Sequence, residues 1–376
     1  VNHFVMNTTG AYPTTATLTE VLTGTTGATL TLADLKKSTL EVANGISYSY
    51  GQVAGSTVTT TSILADGSRV INLYYIRSSY AVTLTKGEGI SAVTGAKTYY
   101  YDESVTINAI VMNGYTWSKW TGTFENESLE YTFTMPANNV TLTANTVANA
   151  DTAYKVEHYQ ESLTGEYELY ETEDLTGETD TTATAESKEY TGFTFDSDNA
   201  NNVITGNIAG DGSLVLKLYY SRNSYTVTLT AGTGIESVSG NFSYKYEEEV
   251  TISAVIKGGY TWLNWTGSET LEDIENTFNM PANNLEYTAN TTANKYSITL
   301  NSNEATTNGE LSATTYATST SEQTVTVTLP ARTGYTLIDI TVTGDNVSAT
   351  VNADFTTLTI PAESYGNIIL TAEWEA

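Results

Sequence analysis

The sequence predicts an all-β protein built as a tandem array of small domains. Three observations lead to this prediction. Thr and Tyr, which favour strands, are abundant, and Asn and Gly, which favour turns, separate short runs of alternating apolar and polar residues. Long stretches of chain occur twice at a fixed spacing. The length of 376 residues also indicates two or more domains.

The clearest repeat carries a double-tryptophan phrase. "GYTWSKWTG" (Gly114–Gly122) returns 145 positions later as "GYTWLNWTG" (Gly259–Gly267). At this offset Tyr80–Asn149 aligns with Tyr225–Asn294 without a gap, and 39 of 70 positions are identical. A divergent third copy spans Tyr296–Ala376 and has Leu337 in place of the first Trp. We name these units B1, B2 and B′; terminal repeats are often atypical.

The stretches that precede B1 and B2 also match each other, more loosely. "TEVLTGTTGATLTLAD" (Thr19–Asp34) pairs with "TEDLTGETDTTATAES" (Thr172–Ser187), and "ILADGSRVINLYYIRSSY" (Ile63–Tyr80) pairs with "NIAGDGSLVLKLYYSRNSY" (Asn207–Tyr225) with one gap. We name these units A1 and A2. The predicted domains, in the order A1, B1, A2, B2 and B′, are 1–79, 80–149, 150–224, 225–295 and 296–376.

Local patterns predict the elements inside each unit. In B1, "YAVTLT" (Tyr80–Thr85), "VTINAIV" (Val105–Val111) and "VTLTA" (Val140–Ala144) alternate with period two, as half-buried strands do. In the A units, Asp-Gly within "ADGS" (Ala65–Ser68) and "GDGS" (Gly210–Ser213) predicts type I′ hairpins that lead into closing strands. Helices are expected at Leu32–Val42 and Ala183–Tyr190.

The duplicated tryptophans have two possible roles. A domain of about 70 residues buries only about 60% of its unfolded surface, so large aromatic side chains help such a small core most. We therefore expect Trp117, Trp120, Trp262 and Trp265 to close small β cores. The alternative is a platform on which sugars stack. Leu337 in the third copy favours the core role, because Leu fills a hole but stacks poorly on a sugar.

Charge and composition exclude several classes of function. There are 43 acidic and 15 basic residues, a net charge of −28, so nucleic acid is not an expected partner. The chain has no cysteine, which excludes disulfides and thiol chemistry, and no stretch approaches the ~18 apolar residues of a membrane span. A1 has four acidic and four basic residues, whereas the other units are acidic. This difference has two interpretations: a solubility gradient with a divergent end domain, or docking of Val1–Ser79, for example against the acidic end of another copy.

The repeats resemble two families of bacterial surface-protein modules. "GYTWSKWTG" with "FTMPANNVTLTAN", and "GYTWLNWTG" with "FNMPANNLEYTAN", resemble the divergent InlB-type B repeats. In A2, "KVEHYQESLTGEYELYETEDLTGETD", "KEYTGFTFD" and "LVLKLYYSRNSYTV" resemble mucin-binding-protein (MucBP-like) repeats; A1 departs from them, with "KKSTLEVANGISYSY" in the place of "KEYTGFTF". The resemblance implies small β-grasp-like or α+β domains, strung along extracellular cell-wall proteins of mostly Gram-positive bacteria. It implies a stalk or adhesin without catalysis, and for the A units a glycan or glycoprotein partner.

Candidate chemical sites have simpler structural interpretations. His3 and His158 align loosely between the A units, which favours a shared structural role; one His per domain without Cys is a poor metal site. "DSDNANN" (Asp196–Asn202) lacks the third ligand and the Gly of a calcium loop. "LPARTG" (Leu329–Gly334) has one residue too many for a sortase signal, and the carboxylates of Glu166–Asp174 alternate like a solvated strand face.

These observations predict no catalytic, cofactor or metal site and leave the ligand-binding residues unassigned. A Lys–Asn isopeptide crosslink is excluded for the B units, because B′ has no lysine and the lysines of B1 and B2 never align; only the A units remain candidates. The expected function is a non-enzymatic stalk or adhesin segment on the bacterial surface, elongated in shape. The alternative is a self-associating subunit of a surface layer or filament.

Overall fold

The computed structural model describes residues 1–37, 48–50 and 60–376. Over these residues the regular secondary structure is β-strand apart from a single four-residue helix, which confirms the predicted fold class. The chain packs as two compact bodies. The first comprises 1–157, 172–186 and 203–217, and the second comprises 158–171, 187–202 and 218–376.

A1 folds around a small central sheet. Its elements are β1 (Asn2–Val5), β2 (Leu18–Thr19), β3 (Thr29–Thr31), α1 (Leu32–Leu35), β4 (Tyr48–Tyr50), β5 (Thr60–Ser62) and β6 (Asn72–Arg77). The main sheet has the order β2-β1-β6-β4, and β3 pairs with β5. Helix α1 begins at Leu32 as predicted, and Thr31, the residue before it, forms a capping box with Asp34 in the third helical position. It ends at Leu35, so the predicted continuation through Lys36 and Lys37 is wrong, because Lys36 is already extended; the remaining positions of the expected helix, 38–42, lie outside the described residues.

B1 has two sheets that share one core. Its strands are β7 (Ser79–Lys86), β8 (Ile90–Thr94), β9 (Thr98–Tyr100), β10 (Ser104–Val111), β11 (Tyr115–Gly122), β12 (Tyr131–Thr134) and β13 (Val140–Ala148). The sheets have the orders β11-β13-β7-β9 and β12-β10-β8. Alternate residues of both point into one cluster that includes Val82, Ile107, Trp120 and Leu142. The three strands predicted from period-two patterns are confirmed as β7, β10 and β13.

A2 consists of β14 (Thr152–Glu161), β15 (Tyr167–Gly177), β16 (Thr182–Thr184), β17 (Phe193–Phe195), β18 (Thr205–Asn207) and β19 (Val215–Arg222). The sheet orders are β15-β14-β19-β17 and β16-β18. The helix predicted at Ala183–Tyr190 is wrong. Ala183 pairs with Gly206 across two strands, and the N–H of Ala185 donates to the carbonyl of Ile204. Sheet pairing therefore overrides the local helical propensity of this segment.

B2 repeats the arrangement of B1, and B′ keeps its central sheet. The strands of B2 are β20 (Ser224–Ala231), β21 (Ile235–Ser239), β22 (Ser243–Lys245), β23 (Glu249–Ile256), β24 (Tyr260–Gly267), β25 (Glu275–Asn279) and β26 (Leu285–Ala293). Those of B′ are β27 (Lys295–Asn301), β28 (Glu310–Leu311), β29 (Thr315–Ala317), β30 (Gln323–Thr328), β31 (Thr336–Gly344), β32 (Thr350–Val351), β33 (Thr357–Ile360) and β34 (Ile368–Glu375). The main sheets are β22-β20-β26-β24 and β29-β27-β34-β31, and the smaller ones are β21-β23-β25 and β28-β30-β33-β32.

The Asp-Gly turns do not form the predicted hairpins. Strand β5 pairs with β3, whereas β6, beyond the turn, pairs with β1 and β4. In A2, β18 likewise pairs with β16. Gly67 and Gly212 take positive φ but Asp66 and Asp211 do not, so these are not type I′ turns. Each Asp side chain instead accepts the N–H of the Ser two residues on, an Asx turn that connects different sheets.

In A1 and the B units the first and last strands are adjacent and parallel. The pairs are β1 with β6, β7 with β13, β20 with β26 and β27 with β34. Parallel neighbours run in the same direction, so the chain enters each of these domains at one end and leaves it at the other. Few residues separate consecutive domains: β6 ends at Arg77 and β7 begins at Ser79, and β26 ends at Ala293 and β27 begins at Lys295.

Candidate functional sites at the domain junctions

The second tryptophan of each phrase is a core residue. Trp120 and Trp265 are completely buried, and the indole N–H groups donate to the carbonyls of Leu129 and Ile274 at 3.2 and 3.3 Å. These bonds satisfy the polar atom that a buried indole carries. Ile340 occupies the corresponding buried position in B′.

The first tryptophan is half-buried. Trp117 and Trp262 lie edge-on to the second Trp, with ring centroids 5.5 Å apart in both units. Their indole N–H groups donate to the carbonyls of Glu127 and Glu272, both at 2.7 Å. Both rings pack against the core cluster of their own unit, which supports the predicted packing role over the sugar platform.

The Gly and Tyr that open each double-tryptophan phrase form a junction with the next domain. The sequence did not predict this role. In the first body the carbonyl of Gly114 accepts the N–H of Asn149 and the hydroxyl of Thr179, both at 2.8 Å. The Tyr115 hydroxyl donates to the carboxylate of Asp180, and this hydrogen bond raises the pKa of Tyr115 to about 12. A Cβ on Gly114 would lie 2.3 Å from the Cα of Gly210, so only glycine fits.

The second body repeats the backbone contacts of this junction between B2 and B′. The carbonyl of Gly259 accepts the N–H of Asn294 at 2.9 Å, and the N–H of Thr318 donates to the carbonyl of Asn294 at 3.1 Å. A Cβ on Gly259 would lie 2.5 Å from the Thr318 hydroxyl. Tyr260 is 9% exposed and Thr318 is 4% exposed. We call the Gly-Tyr pair and the following Asn the exit clasp. The exit clasp contacts a buried Thr of the next domain, which is Thr179 in A2 and Thr318 in B′.

An arginine fixes each A unit to the B unit that follows it. Arg77 donates from Nε to the carbonyl of Met6 at 3.2 Å and from Nη1 to the carbonyl of Tyr101 in B1. Asp102, with its carboxylate 3.8 Å from the guanidinium, holds a positive φ of 63°. Arg77 is only 9% exposed, so its hydrogen bonds form largely out of water.

Arg222 plays the same role between A2 and B2. It donates to the carbonyls of Glu161 at 2.9 Å and Tyr246 at 2.8 Å, and it contacts the carboxylate of Glu247 at 3.0 Å. Glu247 has a φ of 62°, matching Asp102. The two arginines stand at aligned places in "LYYIRSSY" and "LYYSRNSY", so this signal was present in the sequence.

The two histidines lie in matching buried clusters. Nδ1 of His3 is 2.9 Å from the hydroxyl of Tyr75, and Nδ1 of His158 is 3.0 Å from that of Tyr220. Both rings are fully buried, and burial lowers the pKa of His3. The backbone N–H groups of Lys37 and Lys188 donate to the same tyrosine hydroxyls. The expected shared place is confirmed.

A lysine–glutamate ion pair completes each cluster. The ammonium of Lys37 contacts the carboxylate of Glu20, whose second oxygen lies 3.1 Å from Nε2 of His3. Lys188 contacts Glu171 at 2.7 Å, and the Tyr190 hydroxyl donates to the same carboxylate at 2.7 Å. The hydrogen bond from lysine lowers the pKa of Glu20 and of Glu171.

The remaining candidates lie in ordinary structural settings. Asp196 and Asn199 accept the N–H groups of Asp198 and Asn201, so the Asp196–Asn202 loop is a series of Asx turns. Leu329–Gly334 connects β30 to β31, as interpreted from the sequence. Most of the Glu166–Asp174 run lies in β15 with its acidic side chains largely exposed, apart from Glu171 and Glu173, which are half-buried.

The described residues lack two further features. Across 1–37, 48–50 and 60–376, no group of three or more His, Cys, Asp or Glu residues is placed to hold a metal ion. In the same part of the chain, no helix is long and apolar enough to cross a membrane.

Comparison with known proteins identifies the B units. The model of the family described as "Divergent InlB B-repeat domain" matches residues 80–150, 225–295 and 297–376. No curated protein sequence matches. Among solved structures, the Bacillus anthracis TIE protein matches with 8% identity and a TM-score of 0.29, and the match covers 60% of this chain and 52% of that one. The chain thus spans about half of that structure. Because the family matches cover more than half of the sequence, the chain belongs to the divergent InlB B-repeat family.

Proposed function

We propose that this chain is a non-enzymatic stalk segment of an extracellular bacterial surface protein. Repeats of this family are typical of bacterial surface proteins, which supports the proposed location. The observation that carries the proposed role is the construction of the junctions. The chain passes from strand to strand between domains, and buried or half-buried Arg, Gly and Thr residues form the contacts at the junctions described above. Such junctions resist bending, which is what a spacer requires.

The use of the reactive side chains supports a role without catalysis. His3 and His158 are buried beneath tyrosine hydroxyls, and the nearest carboxylates are engaged by lysines. General acid–base catalysis needs a titrating group within reach of a substrate, and the two imidazole rings are enclosed by their own domains.

Two experiments test the location and the spacer role. Protease treatment of intact cells of the producing bacterium should remove the chain from the cell surface while cytoplasmic proteins stay intact. Electron micrographs of the purified protein should show single thin threads. A chain that resists surface proteolysis until the cells are lysed contradicts the proposed location, and compact particles contradict the stalk.

An adhesive role for the A units is the finer part of the proposal. We place A1 and A2 with the MucBP-like repeats, and infer a host or cell-wall glycoprotein as partner. Each A unit carries three aromatic rings on the sheet face opposite its buried histidine. Phe4 and Tyr74 are stacked with centroids 5.0 Å apart, as are Tyr159 and Tyr219 at 4.7 Å. A third ring, from Tyr12 or Tyr167, packs edge-on against each pair.

Half-buried tyrosines combine an apolar face with a hydroxyl, which suits contacts to glycosylated surfaces. Binding of the full chain to immobilised mucin should therefore weaken when Tyr159 and Tyr167 are both replaced by Ala. The matched control is Tyr170→Ala, because Tyr170 is 62% exposed and lies outside this cluster. Equal binding by all three proteins contradicts the adhesive role and leaves the spacer role untouched.

A self-associating subunit of a surface layer or filament is the second candidate function. It is favoured by the charge difference between A1, which has no net charge, and the acidic remainder of the chain. Regular polymers in the same electron micrographs would select this function over the single-thread stalk.

A further inference from the structure

The residue before the glycine of the exit clasp differs between B1 and B2. The clasp glycine is Gly114 in B1 and Gly259 in B2, with Gly334 at the aligned place in B′, and all three have positive φ. The preceding residue is Asn113 in B1 but Gly258 in B2. Gly258 does not have positive φ, so its backbone conformation does not explain why it is glycine. The two exits also lead to different kinds of domain, A2 after B1 and B′ after B2.

A tyrosine of B′ explains the glycine at 258. The ring of Tyr365 lies over Gly258, where a Cβ would be 2.6 Å from Cζ, 2.7 Å from Cε1 and 2.8 Å from Oη of the tyrosine. A Cβ on Gly259 would likewise lie 2.9 Å from the Cβ of Tyr365. All these distances are shorter than the optimal separation of carbon atoms, about 3.5–4.0 Å. Glycine at 258 therefore makes room for an aromatic ring of the next domain.

A2 brings backbone to the same place in the junction after B1. A Cβ on Gly210 would lie 2.1 Å from the carbonyl oxygen of Asn113 and 3.1 Å from the Cα of Gly114. Gly210 thus lies against the clasp glycine of B1, as Tyr365 lies against that of B2. Asn113 itself is exposed. The A-type domain therefore needs glycine on its own side and leaves room for a side chain at 113.

The junction of B1 with A2 is also held by hydroxyl groups. The hydroxyl of Thr179 donates to the carbonyl of Gly114 at 2.8 Å and lies 2.7 Å from the hydroxyl of Thr152. The hydroxyl of Tyr115 donates to the carboxylate of Asp180. Each hydroxyl at this junction therefore has a hydrogen-bond partner although Thr179 is buried.

The matching hydroxyls at the junction of B2 with B′ differ. Within the ranges that the structure describes, Oη of Tyr260 and Oγ1 of Thr318 are buried and have no hydrogen-bond partner. Ser319 follows the buried threonine of B′, where A2 has Asp180. A buried hydroxyl without a partner costs free energy. Docking of B′ therefore depends on the backbone hydrogen bonds of the clasp and on the packing of Tyr365.

We propose that the residue before the clasp glycine determines which kind of domain docks at the exit of a B unit. Glycine there, as at 258, admits a B-type domain, which brings an aromatic ring. A side chain there, as in Asn113, restricts the exit to an A-type domain, which brings glycine backbone together with a hydroxyl and a carboxylate. The junctions thereby specify the order of A and B domains along the chain. This proposal goes beyond the spacer role and does not depend on it.

Hydrogen exchange of the full chain provides the first test. The backbone N–H groups of Thr318 and Thr179 donate across the two junctions to the carbonyl of the clasp asparagine, at 3.1 and 2.9 Å, so their exchange reports junction opening. Gly258→Ala should raise the opening constant of the B2–B′ junction about tenfold or more, because the new methyl group overpacks against the ring. The matched control is Asn113→Ala, which should change the opening constant of the B1–A2 junction by less than about twofold.

The amides of β23, inside B2, distinguish opening of the junction from unfolding of the domain. Their protection should be the same in Gly258→Ala as in the parent chain. Loss of protection in β23 would mean that the methyl group disturbs B2 itself, and this result overturns the proposal. An unchanged opening constant at Thr318 in Gly258→Ala overturns it as well.

A double-mutant cycle tests whether Gly258 acts through Tyr365. Tyr365→Leu removes the ring atoms that a Cβ at 258 would meet and keeps an apolar side chain against the clasp. In that background Gly258→Ala should change the opening constant by less than about twofold, the accuracy with which independent substitutions add. The same increase with and without the ring overturns the proposal, because the alanine would then act only through its own backbone.

A pair of isosteric substitutions tests the difference in hydroxyl bonding. Thr179→Val removes both hydrogen bonds of a buried hydroxyl and should raise the opening constant of the B1–A2 junction about tenfold or more. Thr318→Val removes a hydroxyl without a partner, so the opening constant of the B2–B′ junction should stay equal or fall. Equal weakening of the two junctions overturns the proposal, because A-type and B-type domains would then dock through the same contacts. That result leaves the stalk role intact, since a spacer needs docked domains and not different ones.

Discussion

The two tryptophans of each phrase differ in burial, and that difference predicts unequal effects of substitution. Trp120 is completely buried, so Trp120→Ala leaves a large cavity and should destabilise B1 by about 3–5 kcal/mol. Val147→Ala is the control, because Val147 is 62% exposed and loses little contact. Urea unfolding followed by tryptophan fluorescence measures both. An unchanged midpoint for Trp120→Ala together with loss of glycan binding would restore the sugar-platform role.

Titration of the buried cluster in A1 makes its stability depend on pH. Burial lowers the pKa of His3 from 6.5, so below about pH 6.5 the unfolded chain takes up a proton that the folded domain refuses. Stability is therefore full above that pH and falls as the pH drops. Glu20, whose pKa is lowered by its bond to Lys37, continues the loss as the pH falls below 4.5.

The measurement is hydrogen exchange at the amides of β1 and β6 between pH 7 and pH 5, corrected for intrinsic rates. His3→Gln removes the titrating ring and should flatten the pH dependence of the opening free energy over this range. An equal slope in the variant and in the parent would mean that His3 does not titrate differently in the folded and unfolded chain.

At the scale of elements, the exit clasp predicts a graded series of glycine substitutions. Gly114, Gly259 and Gly334 all have positive φ, so Ala strains the backbone at each by about 1–2 kcal/mol. At Gly114 and Gly259 the new Cβ also collides with the next domain, at 2.3 and 2.5 Å, which adds about 1–3 kcal/mol of overpacking. Gly334→Ala is the matched control. Equal losses of unfolding free energy for all three would contradict the clasp.

The junction arginines provide a second prediction for the elements. Arg222→Ala removes hydrogen bonds to two carbonyls from a guanidinium that is 11% exposed, and should cost about 1.5–3 kcal/mol. Lys119→Ala breaks an ion pair between side chains that are 41% and 66% exposed, and should cost at most about 1 kcal/mol. Thermal unfolding compares them, and a smaller effect at Arg222 would show that A2 and B2 are held together by other contacts.

The elements also show which parts of the fold could be predicted from the sequence. Strands such as β7, β10 and β13 were predictable, because period-two alternation reflects one buried face within one domain. The segment Ala183–Tyr190 was mistaken for a helix, because its partner β18 lies some twenty residues later and leaves no local signal. In the sequence, the exit clasp appeared only as residues that are identical in B1 and B2 and that had no assigned role. Gly114 is required by the approach of Gly210 from another domain, a contact that no pattern within B1 encodes.

At the scale of the whole molecule, the topology of single domains predicts how the chain extends in solution. In A1, B1, B2 and B′ the first and last strands run parallel, so each of these domains passes the chain from one end to the other. Domains of this size are roughly 30 Å across, and five in line would give a rod of about 150 Å with a radius of gyration near 43 Å.

Small-angle scattering at low concentration measures that radius directly. A compact globule of the same length would have a radius of gyration of about 21 Å. The net charge of −28 favours an extended chain only over distances within the screening length, which is about 8 Å at physiological salt. The predicted radius of gyration therefore rests on the strand-to-strand connections between domains and not on charge repulsion. Raising the salt should therefore change the radius little. A radius of gyration below about 28 Å would mean that the domains pack side by side. That result would contradict the stalk role, because a spacer spans a distance only if its domains stay in line.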